Sequence, residues 1–109
     1  MKLVVAIVQR EDAATLIDAL TEQGHRATRI NTAGGFLKEG NATVLVGVED
    51  AKVEEVLSLV ESKCNTRTQY INPLPPVMEP GEFYMPYPVE VQVGGATVFV
   101  LNVDRYERL

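Results

Sequence analysis

Residues 26–48 read RATRINTAGGFLKEGNATVLVGV, and they predict two strands joined by a glycine-containing loop. In the second strand every other residue is apolar, which is typical of a strand with one face in a core. Those apolar positions are Ala42, Val44, Val46 and Val48. Alternation in the first strand is poor, with Arg26, Thr28 and Ile30 on one face. Antiparallel pairing would place this face beside the polar or small residues of the second strand.

The loop of this stretch combines a permissive backbone with an apolar platform. Gly34 and Gly35 allow backbone N–H groups to approach a ligand closely, and Phe36 and Leu37 follow directly. Residues 25–48 carry a net charge of +2, whereas the whole chain carries −5 at pH 7. Local positive charge beside an aromatic ring suits a nucleotide. The alternative is an exposed hairpin loop with the phenylalanine in the core.

Length and composition indicate one globular domain, residues 1–109, with 46% hydrophobic and 23% charged residues. A pI near 4.8 disfavours general binding of DNA or RNA, which needs a broad basic face. Cys64 is the only cysteine and is interpreted as a small buried residue, so we expect a reducing, cytoplasmic location. The apolar run at residues 3–8 is too short for a signal peptide or membrane span.

Two helices are predicted outside the central stretch. The strand at residues 3–8, apolar on both faces, leads to a helix capped by Asp12 and ended by Gly24. A second helix begins after residue 48 with two acids and ends near Asn65, a predicted left-handed cap.

The chain changes character at residues 65–88, which contain all six prolines. We expect a long proline-rich loop without regular structure that binds a partner, or else an exposed excursion. Residues 89–93 then alternate as a strand. Gly94-Gly95 predicts a two-residue hairpin into a last strand at residues 96–103.

This order predicts an α+β, ferredoxin-like fold: a split βαβ arrangement, βαββαβ, with an extra closing strand. Both helices would cover one face of an antiparallel sheet. Because the first strand is apolar on both sides, the other face would be exposed, and we expect subunits to pack sheet to sheet. A cyclic homotrimer would cover these faces in a closed assembly and would place pockets in the clefts between subunits.

Motifs of catalysis and metal binding are missing from the sequence. One histidine and one cysteine cannot supply a zinc cluster, and neither a phosphate loop nor the G-x-G-x-x-G fingerprint is present. We therefore expect no metal, no cofactor and no enzymatic activity.

Several motifs, in this order and spacing, closely resemble the PII-like cyclic di-AMP receptor family, whose members include PstA and DarA. They are AIVQ at residues 6–9, RAT at 26–28, GGFL at 34–37, GN at 40–41, GV at 47–48 and PYPVEVQVGGATVFVLNVD at 86–104. The resemblance covers essentially the whole chain. It implies a homotrimer that binds cyclic di-AMP between subunits, without chemistry, and that changes its loops on binding.

The resemblance also implies a set of binding residues. Arg26 and Thr28 would meet phosphate and ribose, and residues 35–37 would enclose an adenine. Asn41 and Gly47 would contact a base. The full set is Arg26, Ala27, Thr28, Gly35, Phe36, Leu37, Asn41, Gly47, Phe99 and Arg108. Gly24 and Arg108 occupy positions where the family carries an amide side chain, so the rim of the pocket is expected to differ.

Two alternatives stay open at this point. One is a general PII-like regulator that binds ATP, ADP or another adenylate and controls a transporter or enzyme. The other is a trimeric enzyme or metal-tolerance protein of similar fold. In the leading interpretation the partners are cyclic di-AMP, further copies of the chain and an unidentified downstream protein.

Overall fold

The computed structural model describes residues 1–32, 41–71 and 88–109. Within these ranges a short 3₁₀ turn, Asp50–Lys52, precedes the second helix. The remaining elements, in chain order, are β1 (Lys2–Gln9), α1 (Arg10–Glu22), β2 (Ala27–Thr32), β3 (Asn41–Val48), α2 (Val53–Cys64), β4 (Arg67–Ile71), β5 (Val89–Val93) and β6 (Ala96–Asn102).

Four strands form the main sheet in the order β2-β3-β1-β6, with every neighbouring pair antiparallel. The α+β, ferredoxin-like prediction is therefore confirmed. The last two strands take different places from those expected. β6 supplies the fourth strand of the ferredoxin-like sheet, and β5 pairs with β4 in a separate two-stranded sheet.

The core lies between the helices and one face of the main sheet. Alternate residues of β1 and β3 point into it, as their period-2 pattern predicted. From α1 come Ala13, Leu16 and Leu20, and from α2 come Val56, Val60 and Cys64. Neither of these helices is long and apolar enough to cross a membrane, among the residues that the structure describes.

The opposite face of the main sheet carries apolar side chains that no described element covers. Ile30 is 45% exposed, Phe99 44% and Leu101 49%. Leu3 pairs with Leu101, and Val5 pairs with Phe99, so the apolar surface continues from β1 onto β6. We call this surface the open face, and its existence agrees with the expectation that two helices leave one side of the sheet bare.

The predicted hairpin at Gly94-Gly95 is wrong. Both glycines have positive φ, as a tight turn requires, but their N–H groups bond elsewhere. The amide of Gly94 donates to the side chain of Gln9, and that of Gly95 donates to the carbonyl of Cys64. The chain therefore changes sheets at this point instead of reversing within one sheet.

Regular structure also occurs where none was predicted. β4 occupies the first part of the proline-rich segment, because Arg67–Ile71 (RTQYI) contains strand-forming residues and pairs with β5 in register. We call the β4–β5 pair the arm. All but one of the prolines lie at 72–87, outside the described residues.

The predicted ends of the helices were right in one place and wrong in two. Gly24, with φ +85°, follows Gln23, the C-cap of α1, as expected. Asp12 is not the N-cap: α1 begins at Arg10 after Gln9, and Asp12 lies buried in the first turn, paired with Arg67. Asn65 is extended (φ −63°, ψ 148°), since the chain passes from α2 almost directly into the arm.

Candidate functional site

A cleft of about 750 Å³ lies at one end of the open face. The connection from α1 to β2 forms one wall, and the turn before α2 and the C-terminal tail form the others. Its floor is the sheet itself, where Leu3, Leu45 and Gly47 come together on neighbouring strands. The cleft thus offers an apolar floor within polar walls, the usual composition of a small-molecule site.

Cationic side chains stand at the walls of the cleft. Arg26 and Lys52 both line it, and Glu49 contributes a carboxylate to the lining. Lys52 also lies 3.5 Å from Glu55, measured from Nζ to Oε2. Two cations at one small opening can neutralise an anionic ligand on a protein whose net charge is negative.

His25 fixes the wall that carries Arg26. Its backbone N–H donates to the carbonyl of Leu20 at 2.9 Å, which ties the start of the β2 segment to the end of α1. Its side chain is only 9% exposed, with Nε2 3.7 Å from the Glu55 carboxylate of α2. The backbone beside Arg26 is therefore tied to α1, and the neighbouring His25 side chain lies near α2.

Gly47 lies in the floor of the cleft and has no side chain. It faces Leu3 across the ladder, and a Cβ atom added to it would lie 3.0 Å from the end of the Met1 side chain. The end of the Met1 side chain therefore lies against the backbone of β3 at this point, in the space that a larger residue at position 47 would need.

Three of the residues singled out in the sequence are brought together by the fold: Arg26, Thr28 and Gly47 all line this cleft. Ala27, between the first two, points to the other side of β2 and packs against the core. Gly35, Phe36 and Leu37 lie outside the described residues.

The other predicted residues lie farther from the cleft. Asn41 is buried at the beginning of β3, opposite Gln9 of β1. Phe99 is on the open face of β6, at the far edge of the sheet from Arg26. Arg108 is exposed in the tail, where Tyr106 contributes to the described lining of the cleft.

Comparisons with known proteins identify the family of this chain. A family model described as "Cyclic-di-AMP receptor" matches residues 1–109. The chain belongs to the cyclic di-AMP receptor family. It is also similar to a crystal structure of a functionally unknown protein from Pediococcus pentosaceus ATCC 25745, at 44% identity and a TM-score of 0.81. That match covers 99% of this chain and 96% of the other.

In this member of the cyclic di-AMP receptor family, sequence reasoning missed several lining residues, among them Lys52 and Tyr106. Lys52 belongs to the 3₁₀ turn before α2, where a lysine near two acids looks like ordinary surface charge. Tyr106 had a usable signal, because it is the one aromatic residue in a charged C-terminal hexapeptide, DRYERL. It is 63% exposed in the single chain.

The described residues of this family member offer few groups for catalysis or metal binding. Burial raises the pKa of the Cys64 thiol to about 11, with the nearby Asp12 adding to the effect. The thiol is therefore protonated near neutral pH and is a poor nucleophile. Among the described residues no group of three or more His, Cys, Asp or Glu side chains is placed to hold a metal ion.

Proposed function

We propose that this chain binds cyclic di-AMP in clefts between the subunits of a homotrimer and signals without catalysing a reaction. The observation that carries the proposal is the cleft in which Arg26, Thr28 and Gly47 meet, in a chain matched from end to end by the receptor family. Cyclic di-AMP presents two phosphates and two adenines. Arg26 and Lys52 neutralise phosphate, and the apolar floor accepts a base.

The remaining binding residues complete this assignment. Thr28 takes a ribose or phosphate oxygen, and Gly47 and Asn41 contact a base. Phe36, with Gly35 and Leu37, encloses an adenine. Arg108 adds a phosphate contact from the tail, since guanidinium pairs well with that anion.

The open face supports the trimer. Its exposed apolar residues, among them Ile30, Phe99 and Leu101, continue across all four strands, and monomers seldom leave such a surface in water. Packing three copies around one axis buries it in a closed assembly. The cleft borders this face, because Leu3 and Leu45 belong to both. Assembly therefore covers the cleft with a second subunit.

Phe99 provides a geometric argument that the site is shared. Thr28, Leu45, Val5 and Phe99 form one row across β2, β3, β1 and β6. Three strand spacings separate Thr28 from Phe99, about 14 Å in all. A Phe99 that lines the ligand pocket beside Arg26 therefore comes from a neighbouring copy, whose β6 edge approaches the cleft.

Mixing two variants tests this sharing. Arg26→Ala and Phe99→Ala homotrimers should each bind cyclic di-AMP weakly. Unfolding and refolding an equal mixture should restore tight binding to about one quarter of the sites, those that take Arg26 from one variant and Phe99 from the other. Calorimetric stoichiometry measures the fraction. An unrestored mixture, with mixed trimers verified by native mass spectrometry, would contradict a shared site.

Isothermal titration calorimetry against cyclic di-AMP, cyclic di-GMP and ATP tests the ligand. We expect saturable binding of cyclic di-AMP, with one ligand per subunit, and affinity at least about 100-fold weaker for the other two. ATP as the tightest ligand would favour a general adenylate-binding regulator instead. No heat with cyclic di-AMP would overturn the proposed function.

A further inference from the structure

The carboxylate of Glu55 lies beside two residues that line the cleft. Glu55 belongs to the first turn of α2, and Lys52 precedes it by three residues. One carboxylate oxygen, Oε2, lies 3.5 Å from Nζ of Lys52, and the other, Oε1, lies 3.7 Å from Nε2 of His25. Lys52 and His25 line the cleft, whereas Glu55 is not part of its described lining. Glu55 therefore contacts the cleft only through these two side chains.

Neither contact has the length of a good hydrogen bond. Such bonds from nitrogen to oxygen measure about 2.7–3.2 Å between the heavy atoms, and both distances here are longer. A shift of less than about 1 Å would complete either of them. The carboxylate is thus shared between two donors and fully serves neither, so the loss of one donor lets it close on the other.

The His25 side chain needs this partner. Its Nε2 atom is buried and has no hydrogen bond to any residue that the structure describes. A buried polar atom without a partner is unfavourable, because it has given up its hydrogen bonds to water. In the described part of the chain, Glu55 is the carboxylate within ion-pair distance of it. A hydrogen bond from His25 to Glu55 would therefore be a net gain.

Lys52, in contrast, can leave the contact at little cost. Its side chain is 61% exposed, and ion pairs between exposed residues three positions apart contribute little to stability. In the proposed function a phosphate of cyclic di-AMP, which the whole cleft positions, competes with Glu55 for this ammonium group. Ligand binding would consequently remove one of the two donors that share the carboxylate.

We propose that Glu55 is a positioning residue of the ligand site, which holds Lys52 while no ligand is bound and closes on His25 when a phosphate takes Lys52. The second contact joins α2 to the connection that carries Arg26, because His25 directly precedes Arg26. Engagement of one cation of the cleft therefore steadies the segment of the other. The exchange of partners rests on the proposed function, whereas the sharing of the carboxylate does not.

His25 is the only histidine of the chain, so NMR spectra of its imidazole report on this carboxylate without overlap. Both the neutral Nε2–H form and the imidazolium can donate to a carboxylate. Completing the hydrogen bond should shift the Nε2 proton resonance downfield and slow its exchange with water by about tenfold, the effect of one such bond.

Variants without ligand test the sharing. Lys52→Met removes the competing donor, so the Nε2 proton of His25 should show the slower exchange. Lys63→Met is the matched control, because it makes the same substitution at an exposed position in the last turn of α2, and it should match wild type. Adding Glu55→Ala to Lys52→Met should abolish the slowing. Unchanged exchange in Lys52→Met, or equal slowing in the double variant, would overturn the sharing.

Saturating cyclic di-AMP tests the exchange of partners. The ligand should slow the Nε2 proton in wild type and in Glu54→Ala, which loses the same charge at an exposed position of the same helical turn. Glu55→Ala should bind with a Kd within about tenfold of wild type, as expected for a loss of exposed ion pairs, yet show no slowing. No slowing in ligand-bound wild type, or equal slowing in Glu55→Ala, would overturn the exchange.

Calorimetry of the wild-type protein separates the two possible failures. If wild type does not bind cyclic di-AMP, the proposed function and the exchange of partners both fail, while the comparison of Lys52→Met with wild type still decides whether the carboxylate is shared. If wild type binds and the Nε2 proton responds neither to the ligand nor to Lys52→Met, the proposed function stands and the role of Glu55 is overturned.

Discussion

Arg26→Ala is expected to weaken binding of cyclic di-AMP by about 10- to 150-fold, which corresponds to losing one hydrogen-bonded charge contact of about 1.5–3 kcal/mol. Arg26 is exposed and lines the cleft, so its removal leaves no cavity in the core and should not change the fold. The affinity is measured by calorimetry, and thermal unfolding verifies that the variant is as stable as wild type.

The chain provides a close control in Arg29. Both arginines are exposed, and both substitutions change the net charge equally. Arg29, however, is three residues further on and pairs with the core residue Val44, so it belongs to the other face of β2. Arg29→Ala should change the Kd by less than about threefold, the scale of a distant surface charge. Equal losses in the two variants would mean that overall charge, not a contact in the cleft, attracts the ligand.

Periodicity alone was enough to find the main elements of this fold. The alternating valines of β3 and the helical stripes of α1 and α2 indicate which face of each element is buried, and the unbroken apolar run of β1 indicates a strand. The excess of apolar residues in β1 also predicted the open face. Such information is local, because the residues that form each pattern lie close together in the sequence.

The errors occurred where a partner is distant in sequence. VEVQV in β5 alternates equally well beside β4 or β6, and nothing in its own pattern decides between them. Asp12 looked like a helix cap because its partner, Arg67, is 55 residues away. Gly94 and Gly95 have the positive φ of a tight turn, yet the groups that accept their hydrogen bonds belong to β1 and α2.

The residues of the candidate site also divide into those that are close together in sequence and those that only the fold brings together. Arg26, Thr28 and Gly47 come from one strand pair, so a sequence stretch could indicate all three. Lys52 and Tyr106 reach the cleft from the turn before α2 and from the tail, and only the assembled fold brings them there. The row from Thr28 to Phe99 likewise cannot be read from the sequence, although the proposal of a shared site rests on it.

Leu101→Glu is expected to abolish the trimer. Leu101 lies on the open face, opposite Leu3, and it is 49% exposed in the single chain. A carboxylate there is hydrated in a monomer and costs little. In a trimer the same position would be covered, and desolvating each charge would cost several kcal/mol. Light scattering should report about 36 kDa for wild type, three times the chain mass of 12.0 kDa, and about 12 kDa for the variant.

Ala14→Glu is the control, because Ala14 is exposed on α1, on the other side of the sheet, and gains the same charge. It should stay trimeric and bind normally. Leu101→Glu should also lose cyclic di-AMP binding although Leu101 is not among the described lining of the cleft, because the neighbouring subunit that completes the site would be gone. A monomeric Leu101→Glu that binds with wild-type affinity would place the whole site within one subunit. A mass of 12 kDa for the wild-type protein would contradict the proposed trimer.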